Sequence, residues 1–410
     1  MNHFSPVEKH FFNLQDIKNQ TTNIPYIVLE SFPQLGLITS LRFLEWASEN
    51  PEGVISLPTG KTPEYFIKWT HHILNNWDNK ELVELRISNG LTIDSKPDLS
   101  NLKFVQIDEF YPLNPKQHNS FYNYVCKYYI EGFGMSLENA LLINSDEIPL
   151  ANNKDRRKIF PDNMIDLTLR FREANNDKEK EQQESIFLID QWCAEYENKI
   201  RSLGGIGFFL GGIGPDGHIA FNVRGSDHNS TTRLTGTNFE TQAAAATDLG
   251  GIEISRNRLV ITIGLRTITY NPEATGIIIA AGEAKSLIIK KSLENSPDVK
   301  YPATALTKLK HSCFYITKGA AKLLRDTEED YWENKPWNKP KKQRSLLALS
   351  KKINVFGKKL SLENLKNDPH CKNIPNINEN TVSEIIDEID KKVQKGSKQE
   401  TNQVFYHTGP

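Results

Sequence analysis

The sequence predicts an α/β fold: a mostly parallel sheet with helices on both faces, followed by a C-terminal extension. Two observations carry this reading. Short runs rich in Val, Ile, Leu and Phe recur along the chain, each of strand rather than helix length. Between them lie longer segments whose apolar residues return at helical spacing. Strands that alternate with helices read as a parallel sheet covered on both sides.

The elements follow in order. Phe32 to Ser48 places Leu35, Leu37, Leu41, Phe43, Leu44 and Trp46 at helical spacing. Val54 to Leu57 is an apolar run that enters the turn-rich Pro58-Thr-Gly-Lys-Thr-Pro63, and a helical pattern resumes from Tyr65 to Asn76. Phe104 to Ile107 is the next strand, and His118 to Ile130 a later helix. Ile206 to Leu210 is a strand entering Gly211-Gly-Ile-Gly-Pro-Asp-Gly217. Leu259 to Ile263 and Gly276 to Ala281 are further apolar, β-branched runs. Gly282-Glu-Ala-Lys285 opens a helix to Leu293, and Cys313 to Thr317 is the last strand. This order is Rossmann-like.

Residues 1–325 are therefore expected to form the sheet domain, with a polar, partly helical surface insertion at about 145–184. Residues 326–410 read as a linker and C-terminal extension. Its lysine-rich stretch to Lys359 is expected to be solvated linker, and Thr381 to Val393 an amphipathic helix. The last residues, Gln403 to Pro410, read as a strand entering a turn, as in the stub of a missing second domain.

Bulk properties bound the function. The chain is 38% hydrophobic and 25% charged, with a formal net charge of −1, so it exerts no global pull on nucleic acid or an anionic membrane. Cys126, Cys193, Cys313 and Cys371 form no CxxC pair, which argues against a zinc site or redox dithiol. With neither a signal-peptide pattern nor a membrane-length apolar run, the expected location is cytoplasmic.

Three loops carry chemistry, and each follows a strand, where open α/β sheets bind ligands. In the first, Thr59, Gly60, Lys61 and Thr62 offer a close-approaching backbone, hydroxyls and an amine, a set suited to phosphate. The glycine spacing is not that of a Walker A loop. The second holds Asp108 and Glu109 at the end of an apolar run. Adjacent residues of an extended chain face opposite ways, so one carboxylate can enter a cleft while the other makes structural bonds. The third runs from Gly211 to Asn222, where Asp216 stands two residues before His218 and can fix the imidazole tautomer.

Together these motifs resemble the glucosamine-6-phosphate deaminase/isomerase family, part of a wider group that includes 6-phosphogluconolactonases. The resemblance rests on Leu57-Pro-Thr-Gly-Lys-Thr-Pro63, Ile107-Asp-Glu-Phe110, His118-Asn-Ser-Phe-Tyr122, Gly212 to Asn222 and Gly282-Glu-Ala-Lys-Ser286. It covers about Leu57 to Leu324. It implies that His218, oriented by Asp216, assists opening of the sugar ring, and that Asp108 moves a proton between the second and first carbons. It also implies that Thr59, Gly60, Lys61, Thr62, Gly212 and Lys285 hold substrate and phosphate. No metal or organic cofactor is implied. The implied partner is a small sugar phosphate rather than nucleic acid or membrane, and a homo-oligomer is compatible with the sequence.

Two departures stand out. The family commonly has Glu after Phe-Asn, completing an acid relay, and this chain has Val223. Asp227 and Glu240 are the candidate replacements. The family's later phosphate arginine has no match in Thr241 to Thr247, which leaves Arg224 and Arg233 as candidates. Two alternatives accompany the deaminase reading: a 6-phosphogluconolactonase-like hydrolase, against which Ile219 to Asn222 weighs, and a sugar-phosphate-binding protein without turnover.

Overall fold

A computed structural model describes residues 4–17, 19–249, 255, 258–354 and 360–391. The chain divides into two compact units, Met1–Thr327 and Glu328–Pro410.

The first unit is built on a seven-stranded sheet. Its strands are β1 (Tyr26–Leu29), β2 (Val54–Ser56), β3 (Lys103–Val105), β5 (Ala140–Leu141), β6 (Phe208–Gly212), β9 (Thr275–Ala280) and β10 (His311–Thr317). Their order is β1-β10-β9-β6-β2-β3-β5, and every pairing is parallel. Side chains of a strand alternate between faces, and both faces of this sheet are buried. Ile277 and Ile279 pack into one core with Phe104 and Phe208, while Ile278 packs into the other with Val105 and Phe209. That is why the strands read as unbroken apolar runs. Each fully buried Ile or Phe contributes about 1.5–3 kcal/mol.

Helix Phe32–Glu49 begins at Ser31, whose side chain accepts from the Gln34 N–H, and buries Leu35, Ile38, Leu41 and Leu44. Helix Glu64–Asn75 packs against it so closely that a Cβ on Gly36 would stand 2.4 Å from the Tyr65 Cβ.

A second, three-stranded sheet has the order β4-β8-β7, with β4 at Asp108–Tyr111, β7 at Arg233–Thr235 and β8 at Leu259–Thr262. It is antiparallel, and Asp108 pairs with Thr262. This corrects two expectations. Leu259–Thr262 does not join the parallel sheet, because an apolar run does not encode its partner. Asp108 does not end the strand at Phe104 but starts a new one. Gln106 makes the turn: its Nε2 donates to the Asp108 carbonyl and its Oε1 accepts from the Ile143 N–H.

The segment expected to be a surface insertion reaches the core through Ile148, Leu150, Ile159, Phe160 and Leu169, and its last part begins the long helix Asp177–Ser202. The polar residues between those apolar positions hide the burial from a periodicity count.

The second unit has helices at Lys339–Ile353, at Leu362–Asn367 and over 379–391. Leu346, Leu349, Leu365, Cys371, Ile374, Val382 and Ile386 form its core. The lysine-rich stretch is thus largely a helix with one apolar face, not a solvated linker. Residues 355–359 and 392–410, including the strand-and-turn reading of Gln403 to Pro410, lie outside the described residues. Among the described residues no helix is long and apolar enough to cross a membrane.

Candidate active site

Strands β2 and β6 are neighbours, yet the chain leaves β2 toward β3 and leaves β6 toward β9 on the other side. Such a reversal of direction opens a crevice at the carboxyl ends of the two strands. The first and third chemical loops emerge there side by side. A Cβ on Gly212 would lie 3.1 Å from the Thr62 methyl carbon, so the loops nearly touch.

The first loop is pinned from behind. Tyr129 Oη donates to the Pro58 carbonyl at 2.5 Å, and Tyr124 Oη to the Gly60 carbonyl at 3.0 Å. Gly60 has φ +81°, a conformation that glycine adopts without strain. Thr59 and Thr62 line the cleft, whereas Gly60 and Lys61 are exposed and lie outside its lining.

Across the cleft, Asp108 is buried and lines the wall. Burial, and then the neighbouring Glu109 charge, raise its carboxyl well above the usual aspartate range. Glu109 faces away. Its oxygens accept from Ser120 Oγ (2.7 Å), Tyr122 N (2.8 Å), Phe110 N (2.9 Å) and Phe121 N (3.2 Å). It thereby fixes the start of helix Phe121–Val125. Burial pushes Glu109 up to about 7 against these donors, which favour its charged form. One acid thus faces the cleft while the other serves the structure.

The third loop supplies the imidazole. His218 Nδ1 stands 2.5 Å from Asp216 Oδ1. The other Asp216 oxygen accepts from Asn238 Nδ2 at 2.6 Å and from the Arg224 N–H at 3.0 Å. Burial would raise Asp216, but the His218 hydrogen bond and charge outweigh it, and the carboxyl is held well below its usual range. Gly217 takes φ +89°. A Cβ on Gly214 would overlap the His218 ring at 2.0 Å, so glycine is what lets the imidazole lie flat on the loop.

Lys285 closes the site. It follows β9 on a short 3-10 turn, and its Nζ donates to the Ile213 carbonyl at 2.7 Å. Burial lowers its pKa, while the Asp216 charge acts in the opposite direction.

The cleft encloses about 290 Å³ and brings together Thr59, Thr62, Asp108, Gly212, His218 and Lys285. The remaining candidates lie elsewhere. Arg224 contributes its backbone N–H, and its side chain is exposed. Asp227 is exposed and accepts from the Asn229 N–H. Arg233 Nη1 donates to Asn222 Oδ1 at 2.9 Å, so it braces the loop behind the site. Glu240 is exposed. None of these four lines the cleft. Sequence reasoning passed over Asn119, Phe121 and Thr241, which do line it, and Asn238, which bonds Asp216. Asn119 and Phe121 sit inside the His118 to Tyr122 motif and were within reach. Asn238 and Thr241 carry no local signal.

Several known proteins resemble this chain. No family model matches it. A glucosamine-6-phosphate deaminase of Borreliella afzelii is 26% identical over 281 residues, covering 68% of this chain and 83% of that protein. A glucosamine-6-phosphate isomerase of Candida albicans is 39% identical over 119 residues, covering 29% of this chain and 48% of that one. The chain is similar in sequence to proteins named glucosamine-6-phosphate deaminase or isomerase. The match to the Candida protein spans only about half of that protein's length. The solved structure of a monomeric glucosamine-6-phosphate deaminase superposes with a TM-score of 0.54 at 21% identity, covering 73% of this chain and all of that one. At that identity the superposition establishes a shared α/β fold. The switch point of the first unit's seven-stranded sheet is where the cleft lies.

Proposed function

We propose that this chain catalyses the isomerising deamination of glucosamine 6-phosphate, giving fructose 6-phosphate and ammonia. The observation that carries the reading is the placement of Asp108, a buried carboxyl held above the usual aspartate range by burial and the Glu109 charge, on the wall of the cleft that also holds His218. A carboxyl so placed can both take and return a proton.

In this reading Thr59, Thr62 and Lys285 hold the phosphate. His218, its tautomer fixed by Asp216, takes the proton of the anomeric hydroxyl at Nε2 and delivers it to the ring oxygen as the ring opens to the aldehyde. Asp108 removes the proton on the second carbon and returns it to the first, while the amine gives up one proton and the aldehyde oxygen gains one, converting the 2-amino aldose into a 2-imine. Water adds to the imine, ammonia leaves, and the ketose phosphate remains. One water is consumed for each ammonia released.

A coupled assay tests this. The purified chain should release ammonia and fructose 6-phosphate in equal amounts, and Asp108→Asn should lower kcat by at least about 100-fold. Absence of turnover in the unmodified protein would sink the proposal. Hydrolysis of 6-phosphogluconolactone by the same preparation, without deamination, would put the lactonase reading in its place.

A further inference from the structure

The acid relay that the sequence resemblance implies has no second acid at His218 among the described residues. Val223 has no side-chain acceptor or donor, Asp227 is engaged with the Asn229 N–H, and Glu240 is exposed. Among the described residues, Asp216 is the carboxylate bonded to His218. The orientation of the imidazole therefore depends on what fixes Asp216.

A carboxylate can turn about its last torsion, which is a soft one. One Asp216 oxygen faces His218, and only the other is free to be anchored. It takes two donors, the Arg224 N–H at 3.0 Å and Asn238 Nδ2 at 2.6 Å. Asn238 is half-buried and arrives from the connection after β7. Its own Oδ1 accepts from the Thr241 N–H at 3.0 Å, which caps helix Phe239–Leu249. The same turn brings Thr241 Oγ1 to 3.4 Å from His218 Nδ1. One amide thus links three parts: the acid, the imidazole it orients, and the helix end beside them.

Resting on the deaminase reading for its catalytic readout, we propose that Asn238 is a positioning residue, which holds Asp216 so that His218 keeps the Nδ1–H tautomer aimed at the carboxylate. It acts through Asp216 and does not line the cleft. Its loss should therefore fall on kcat rather than KM.

Two variants separate positioning from capping. Asn238→Ser keeps a good helix cap but is too short to reach Asp216. Asn238→Ala removes both contacts. Histidine-labelled protein should show a downfield Nδ1–H resonance for His218. In both variants that resonance should move upfield or vanish through exchange, and kcat should fall roughly tenfold with KM within about twofold. Asn238→Ser should keep its melting temperature. If Asn238→Ser retains the wild-type resonance and kcat, Asn238 is only a cap and the inference is overturned. The resonance requires no substrate. A silent assay of the unmodified protein would sink the deaminase reading, while the resonance would still decide the role of Asn238.

Discussion

Asp216 Oδ1 and His218 Nδ1 stand 2.5 Å apart, and Asp216 is 1% exposed. Because Nδ1 is engaged by the carboxylate, Nε2 is the ring nitrogen left for the cleft that His218 lines. The pair ties the catalytic proposal to folding through a single charge.

That charge makes stability depend on pH. The folded pKa of Asp216 lies below its ordinary value of 3.8, through the His218 bond and the two donors on the other oxygen. A depressed acid contributes stability fully above its unfolded pKa and loses it as pH falls through the folded value. Asp216→Asn should therefore lower unfolding free energy at pH 7 by about 1–3 kcal/mol. The gap between variant and wild type should narrow once pH drops below about 3.8. Urea titrations at pH 7 and pH 3 measure this, and a gap of equal size at both would show that the charge plays no part in folding.

The parallel sheet was legible because its strands are buried on both faces and so spell continuous apolar runs. Strand β1 was missed: Tyr26–Leu29 is an equally short run, but no chemical loop follows to draw attention to it. The antiparallel sheet was invisible as a sheet, because pairing of Asp108 with Thr262 joins residues 154 positions apart in sequence. The site was read well where one loop contains both partners, as with Asp216 and His218. It was read poorly where distant segments meet. Arg233 looks like a phosphate ligand in sequence, and only the fold reveals that it is spent on Asn222.

Glu109 offers a test of the division between the two adjacent acids. Ser120 Oγ and the N–H groups of Phe110, Phe121 and Tyr122 all point at its carboxyl. Glu109→Ala would leave several of these donors buried without an acceptor. The expected loss is about 2–4 kcal/mol in urea unfolding, against a much smaller loss for Asp108→Asn. Comparable destabilisation by both variants would show that Asp108 is as structural as its neighbour.

The closest steric tolerance in the site belongs to Gly214. A Cβ there would fall 2.0 Å from His218 Cε1, 2.2 Å from Nδ1 and 2.3 Å from Nε2. The ring is the end of a side chain, so it would swing away at modest cost in stability. It would then lose its alignment with Asp216, and a displacement of about 1 Å at a reacting group costs roughly 100-fold in rate. Gly214→Ala should accordingly cut ammonia release about 100-fold while melting within a few degrees of wild type. Gly236→Ala is the matched control, because a Cβ at Gly236 meets nothing within 4 Å and its backbone is unstrained. If Gly214→Ala keeps wild-type turnover, the imidazole position seen here is not the working one, and His218 must act from another rotamer.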